Sequence, residues 1–178
     1  MKNKKIFCVA FCILLIGVPL FITPPVFSYS RSPDIVNPQT YSSRSNEYSL
    51  YVEATDQQGV GFGKYVVRKN GEIVWEKTFP FTLYDAKVAN DGTVAGYSYD
   101  DGRWTRGGYV SILMINATGE IRRQDKIKRI AGPYPPGGAA PTMLGVYLDD
   151  ENDRVIFDVD GLTGDTGREW WVYRLSTA

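Results

Sequence analysis

Hydrophobic and polar positions alternate in short runs from Tyr48 onward, and turn residues separate the runs. Alternation with a period of two is typical of β-strands that bury one face, and no stretch keeps a 3.6-residue hydrophobic period long enough for a helix. Ten strands are predicted, at Tyr48–Thr55, Gly63–Lys69, Glu72–Thr78, Tyr84–Ala89, Thr93–Tyr99, Tyr109–Asn116, Glu120–Ile127, Met143–Leu148, Arg154–Asp160 and Trp170–Leu175. The pattern therefore predicts an all-β fold built from short antiparallel strands.

Residue pairs that tolerate a positive φ angle stand between several of these runs. Asn70-Gly71 and Asp91-Gly92 separate alternating segments, and Asp101-Gly102 and Thr118-Gly119 act similarly. Such pairs allow the tight turn of a β-hairpin. Strands that follow one another in the chain are therefore expected to pair.

An internal repeat runs through the same region. Gly71-Glu72-Ile73 recurs as Gly119-Glu120-Ile121 at an offset of 48 residues, each time after an apolar strand. A second offset, of 62 residues, relates Asn90-Asp91 to Asn152-Asp153. The same offset relates Tyr109, Val110 and Leu113 to Trp171, Val172 and Leu175. The 14 additional residues fit a Pro/Gly-rich loop at residues 131–141, which no strand could contain. A period near 48 residues with about four strands in each unit lies in the range of β-propeller blades.

These units resemble bacterial propeller repeats of the quinoprotein-like and related types. The resemblance rests on a turn such as Asn70-Gly71 or Ala117-Thr118-Gly119, an aromatic residue like Trp75 in the next strand, and a later turn like Asn90–Val94. It covers Tyr48–Ala178 and implies about two and a half propeller-like blades, with units that begin at the Gly-Glu-Ile strands.

The chain also departs from the propeller pattern. Arg123 and Gln124 occupy the region of the second unit where the first has Trp75. A closed propeller takes about four or more blades, so the expected blades leave an open sheet edge, which soluble β proteins normally avoid. Three alternatives follow: a longer protein with further blades, self-association with other copies, or closure as an irregular β-sandwich.

The N-terminal residues have the pattern of a secretory signal peptide. Three lysines precede the apolar run Ile6–Ile22, and Val26 and Ser28 suit cleavage before Tyr29. Residues 1–28 are therefore predicted to be a signal, residues 29–46 a flexible leader, and residues 47–178 the β-repeat domain. The protein is expected to be secreted or periplasmic. A retained N-terminal membrane anchor is the alternative, because an apolar run of about 17 residues is the lower limit for a span.

The amino-acid composition mainly excludes certain catalytic mechanisms, metal sites and partners. The 178 residues include no histidine, which excludes Ser-His-Asp and Cys-His nucleophile activation and the usual His/Cys zinc sites. Lys and Arg number 20, as do Asp and Glu, and without the three N-terminal lysines the balance is about −3. The basic positions Arg122, Lys126 and Lys128 are therefore expected to form a solvent-exposed face, and nucleic acid is not an expected partner.

Two regions carry candidate binding chemistry. Arg103, Trp104 and Arg106 lie in one polar loop, and an aromatic ring flanked by arginines is typical of recognition surfaces; the alternative places Trp104 beneath its own loop. The acidic turns at Asp149–Asp153 and Asp158–Asp165 offer the carboxylates that Ca²⁺ prefers. Ordinary solvated acids are the alternative for these turns.

The sequence predicts a secreted, non-catalytic β-repeat module that binds a protein or a glycan through its loops, with no catalytic or cofactor-binding residue assigned. The signal, the repeat and the absence of histidine favour this hypothesis. The alternative is a fragment of a larger propeller enzyme or of a cofactor-dependent oxidoreductase, which the resemblance to quinoprotein-like repeats implies.

Overall fold

The computed structural model describes residues 35–99, 109–128, 142–160 and 168–176. They form eleven β-strands and one short 3₁₀ helix, Asp150–Asn152, and no α-helix occurs among them. The first sheet contains β1 (Gln39–Ser42), β2 (Tyr48–Ala54), β3 (Gly63–Lys69) and β4 (Glu72–Phe79). The second contains β5 (Asp85–Val88), β6 (Val94–Tyr99), β7 (Tyr109–Ile115) and β8 (Ile121–Lys128), and the third contains β9 (Thr142–Asp149), β10 (Arg154–Asp160) and β11 (Arg168–Arg174). The all-β prediction is confirmed, and each of the ten predicted strands overlaps an observed one.

Each sheet is an antiparallel meander whose strands pair in chain order. The first strands of the three sheets lie beside one another, because β5 contacts both β1 and β9. The sheets therefore follow one another in space as they do in sequence.

The sheets differ in phase from the repeat units read from the sequence. Those units began at the Gly-Glu-Ile strands, whereas β4 pairs with β3 and completes the first sheet. The boundary between the first two sheets falls between Phe79 and Asp85. The sequence matches nevertheless lie at equivalent places, since Gly71 and Gly119 both lie in the turn before the last strand of a four-stranded sheet.

Two hairpins with the same irregularity explain the offset of 48 residues. The turn between β3 and β4 has positive φ angles at Asn70 (50°) and Gly71 (86°), as the Asn-Gly pair predicts. In that hairpin the pairing register shifts after Val67, opposite Trp75. In the hairpin of β7 and β8 the register shifts after Met114, opposite Arg123. Arg123 is thus the structural equivalent of Trp75, as the sequence comparison predicted.

Hydrophobic side chains form two cores, one on each side of the second sheet. Leu113 and Ile115 of β7 pack against the first sheet, whereas Ile112 and Met114 of the same strand pack against the third. Both faces of β7 are buried, which explains why its sequence is almost continuously apolar instead of alternating. Burying each such side chain contributes about 1.5–3 kcal/mol relative to exposure.

Strand β1 lies within the segment that the sequence analysis interpreted as a flexible leader. Gln39–Ser42 pairs with β2, with Thr40 opposite Tyr51. The strand is only four residues long, is mostly exposed and lies at the edge of the sheet, so no hydrophobic alternation marks it. The predicted signal peptide, residues 1–28, lies outside the described residues.

Two tyrosine hydroxyls link neighbouring sheets, one at each junction. Tyr65 of β3 accepts a hydrogen bond from the Leu83 backbone N–H at 3.0 Å and donates to the Phe81 carbonyl at 2.8 Å. Tyr99 of β6 accepts a hydrogen bond from the Met143 backbone N–H at 3.1 Å. These bonds fix the chain as it enters the second and third sheets.

Candidate functional site

The outer face of the third sheet is apolar and aromatic. In β10, Val155, Phe157 and Val159 point into the core, so Ile156 and Asp158 lie on the opposite side. The strand pairing places Tyr147 and Val172 beside Ile156, and Trp170 beside Asp158. We call this surface the aromatic face; it consists of Leu144, Tyr147, Ile156, Asp158, Arg168, Trp170 and Val172. Its two large rings are open to solvent, since Trp170 is 70% exposed and Tyr147 is 52% exposed.

An ion pair with a buried carboxylate lies within the aromatic face. Asp158 is only 1% exposed, and Arg168 binds it through both carboxylate oxygens: Nε lies 2.7 Å from Oδ1 and Nη2 donates to Oδ2. The Arg168 hydrogen bonds hold the pKa of Asp158 below its ordinary value. The ionised carboxylate therefore orients the Arg168 guanidinium group.

Five of these residues enclose a shallow cavity of about 220 Å³. Its walls are almost entirely carbon, and they come from Tyr147, Ile156, Asp158, Arg168 and Trp170. The Arg168 side chain is 57% exposed at the rim. The arrangement offers an apolar floor with hydrogen-bond donors at one side, which is the usual composition of a small-ligand site.

The outer face of the first sheet has different chemistry. A depression of about 350 Å³ there is lined by Thr40, Ser49, Tyr51, Lys64, Val66, Arg68 and Glu76. Lys64 and Glu76 form an ion pair at 2.8 Å, and both side chains are about half exposed. Charged and hydroxyl groups therefore cover this face.

A larger cleft of about 510 Å³ lies where the first strands of the sheets meet. Its lining includes Arg44, Lys87 and residues 146–151. The turns that follow β1 and β9 contribute to it, and the turn that follows β5 links them: Ser45 N–H donates to Asn90 Oδ1 at 2.9 Å, and Asn90 Nδ2 donates to Asp150 Oδ2 at 3.3 Å. Arg44 also lies 3.3 Å from Glu151. The cleft has mixed charge and a hydrogen-bonded rim.

The acidic turns that predicted Ca²⁺ binding have protein partners in the structure. Asp149 accepts hydrogen bonds from Arg154 at 2.6 Å and from the Asn152 amide at 2.9 Å, and these bonds lower its pKa. Asp153 accepts a hydrogen bond from Ser176 N–H at 2.9 Å. In the described ranges no group of three acidic, histidine or cysteine side chains is placed to hold a metal ion. Residues 161–165 of the second turn lie outside those ranges, so Ca²⁺ binding stays a prediction.

The other predicted site residues divide into two groups. Arg103, Trp104 and Arg106 lie outside the described residues, and their recognition role stays a prediction. In the basic strand, Arg122 lies 3.2 Å from Glu120, and Arg123 lies 2.7 Å from Asp125 and stacks over the Tyr173 ring. Arg123 thus contacts the third sheet, as Trp75 packs against Gly119 of the second.

Sequence reasoning did not single out the aromatic face. The signal was present in β11, where the alternation that places Trp171 and Tyr173 inward places Trp170 and Val172 outward. When both the odd and the even positions of a strand are apolar, either both faces of the sheet are covered or one face is exposed and apolar. The sequence pattern does not distinguish these two cases.

Searches against protein-family models, curated proteins and solved structures found no match for this chain. In the described part of the chain no helix has the length and apolar character needed to cross a membrane. The interpretation of function therefore depends on the geometry of the site.

Proposed function

We propose that this protein is a secreted, non-catalytic β-repeat module that binds its ligand on the aromatic face. The observation that carries the proposal is the exposure of Trp170 and Tyr147 around the hydrogen-bonded pair of Asp158 and Arg168. Soluble proteins seldom leave clustered large apolar side chains in water unless the surface binds something. Exposed aromatic residues beside an arginine are also the composition of binding hot spots.

The position of this surface supports a binding role. Its residues lie on three paired strands, and the opposite side of the same strands packs into a core. A rigid sheet loses little conformational entropy when it binds a ligand. The ligand remains a protein or a glycan, but the proposed contact is a sheet face instead of the loop of Arg103, Trp104 and Arg106.

A second candidate function concerns the cleft at the first strands. If the chain is part of a propeller enzyme or cofactor-dependent oxidoreductase, the ligand is expected where the strands of successive sheets converge. The volume of about 510 Å³ and a lining that includes both cations and carboxylates favour this alternative. The adjacency of β1, β5 and β9 also supports a propeller-like order of the sheets.

Binding of matched variants to a glycan array and a peptide array separates the two proposals. Trp170→Ala removes the central ring of the aromatic face, and Lys87→Ala removes a cation of the cleft. We expect Trp170→Ala to reduce binding by about 10-fold or more, the usual effect of a hot-spot residue, while Lys87→Ala binds like the wild type. Loss of binding in Lys87→Ala alone would support the cleft. Equal binding by all three proteins would contradict the aromatic face.

A further inference from the structure

We propose that the ligand of the aromatic face is a neutral saccharide, with a sugar ring against Trp170 and hydroxyl groups at Arg168. This inference rests on the proposed function and names the class of ligand for the same surface. It depends on four features of the site: the exposed indole ring, the remaining donors of Arg168, the size of the cavity and its charge.

Trp170 is exposed on a paired strand. Its backbone pairs with Asp158 in the register of β10 and β11, and its side chain lines the cavity together with Arg168. An aromatic side chain binds at a low entropic cost because it has only two side-chain torsions. The negative face of its π system attracts slightly positive C–H groups, and one side of a pyranose ring presents such groups.

Arg168 supplies the polar part of the site. Its Nε and Nη2 bind Asp158, which orients the plane of the guanidinium group. A guanidinium carries more N–H donors than these two bonds consume, and the side chain is more than half exposed. Donors at the rim of an apolar floor match a ligand with an apolar face and hydroxyl groups at its edge.

The dimensions favour a small ligand over a protein partner. The cavity of about 220 Å³ lies below the usual range of about 300–1,000 Å³ for drug-sized ligands. Five apolar residues are on the face, whereas a stable protein interface uses roughly 20–30 residues on each side. One or two sugar rings fit this surface better than a second copy of the chain does.

Charge balance favours a neutral sugar. Asp158 and Arg168 neutralise each other, and Asp160 pairs with Arg168 across the strands without adding positive charge. Binding of a phosphate or of an acidic sugar needs excess positive charge, which this face lacks. A neutral ring needs only donors and an apolar platform.

Isothermal titration with defined oligosaccharides tests the proposal. The probes are the β-1,4-linked tetramers of glucose and of N-acetylglucosamine, the α-1,4-linked tetramer of glucose, and a tetramer of galacturonic acid as the acidic comparison. We expect at least one neutral tetramer to bind, and Trp170→Ala to weaken that binding about 10-fold or more. Trp170→Phe keeps an aromatic ring and is expected to stay within about 5-fold of the wild type. Tyr51→Ala, on the outer face of the first sheet, is the matched control and should bind like the wild type.

Three results would overturn the saccharide assignment. One is binding of the acidic tetramer alone. Another is the absence of oligosaccharide binding together with peptide binding that Trp170→Ala removes, which leaves the proposed binding function intact. The third is concentration-dependent dimerisation in light scattering that Trp170→Ala abolishes, which assigns the face to a second copy. If Trp170→Ala does not fold, Tyr147→Ala on the neighbouring strand β9 provides the same comparison.

Discussion

The outer faces of the first and third sheets lie on opposite sides of the second sheet, and they differ in chemistry. The first presents Lys64, Arg68 and Glu76 to water, whereas the third presents Tyr147, Trp170 and Val172. The third sheet therefore exposes large aromatic rings where the first sheet exposes mainly charged groups. This difference is the reason for proposing the third sheet as the binding surface.

The ion pairs on the two faces differ in the same sense. Lys64 and Glu76 are both about half exposed, and pairs of this kind contribute little to stability. Asp158 is removed from water, and its charge depends on the hydrogen bonds from Arg168. The pair on the first sheet is exposed at both partners, whereas on the third sheet a buried carboxylate orients an exposed guanidinium group.

The largest expected effect is on stability, and it differs between substitutions on the two sides of β10. Phe157→Ala creates a cavity in the core and is expected to lower the free energy of unfolding by about 3–5 kcal/mol. Ile156→Ala, one residue earlier on the aromatic face, should cost clearly less because its side chain is already partly in contact with water. Urea unfolding of both variants measures the difference. Equal losses would mean that the aromatic face is covered in solution.

An effect of intermediate size is expected on the stability of the protein in acid. Because the pKa of Asp158 is lower in the folded protein, the pair's stabilisation is complete above the unfolded value of about 3.9 and is lost as pH falls through the folded value. Asp158→Asn should therefore lose less stability than the wild type as the pH falls from 5 through the folded pKa of Asp158. Denaturant melts across this range measure the slope. Glu76→Gln on the first sheet is the control, and a wild-type slope unchanged in Asp158→Asn would contradict the prediction.

The smallest expected effect on stability belongs to Trp170. Trp170→Ala should stay within about 0.5 kcal/mol of the wild type because the ring is mostly exposed. The same change should reduce binding of the dye anilinonaphthalene sulfonate, whereas Tyr51→Ala should not, because Tyr51 lies in a depression lined mainly by charged and hydroxyl groups. Thermal unfolding tests the expected stability, and dye fluorescence tests the expected loss of dye binding. A large loss of stability would show that Trp170 packs against other parts of the protein.

The sequence predicted strands where alternation was strong, and it failed where other contacts decide the structure. The inward positions Leu50, Val52, Val155, Phe157 and Val159 follow from parity alone, and all five are buried. Strand β1 was missed because it is a four-residue edge strand with a single core contact, from Tyr41, so no alternation marks it. The phase of the sheets was missed because a repeat in sequence shows the period but not the point at which one sheet ends and the next begins.

The candidate site was less predictable than the fold. Asp158 was recognised as an acid that could bind a cation, but its cation is Arg168 of the next strand. Only the register of β10 and β11 brings these residues together, across a loop whose length hides the pairing. Trp170 has no distinctive local sequence signal, because its exposure depends on the absence of a covering layer over the third sheet among the described residues.

Strands β6 and β7 of the second sheet are buried on both faces, and this burial affects the dynamics of the chain. Amide hydrogens of β6 and β7 exchange with solvent only when the sheet loses its packing against at least one neighbour, and Tyr65 and Tyr99 tie it to both. The outer strands of the first and third sheets exchange through openings that leave the second sheet folded. Deuterium uptake should therefore be slowest in β6 and β7 and faster toward both terminal sheets, so that a bound sugar slows exchange mainly in β10 and β11.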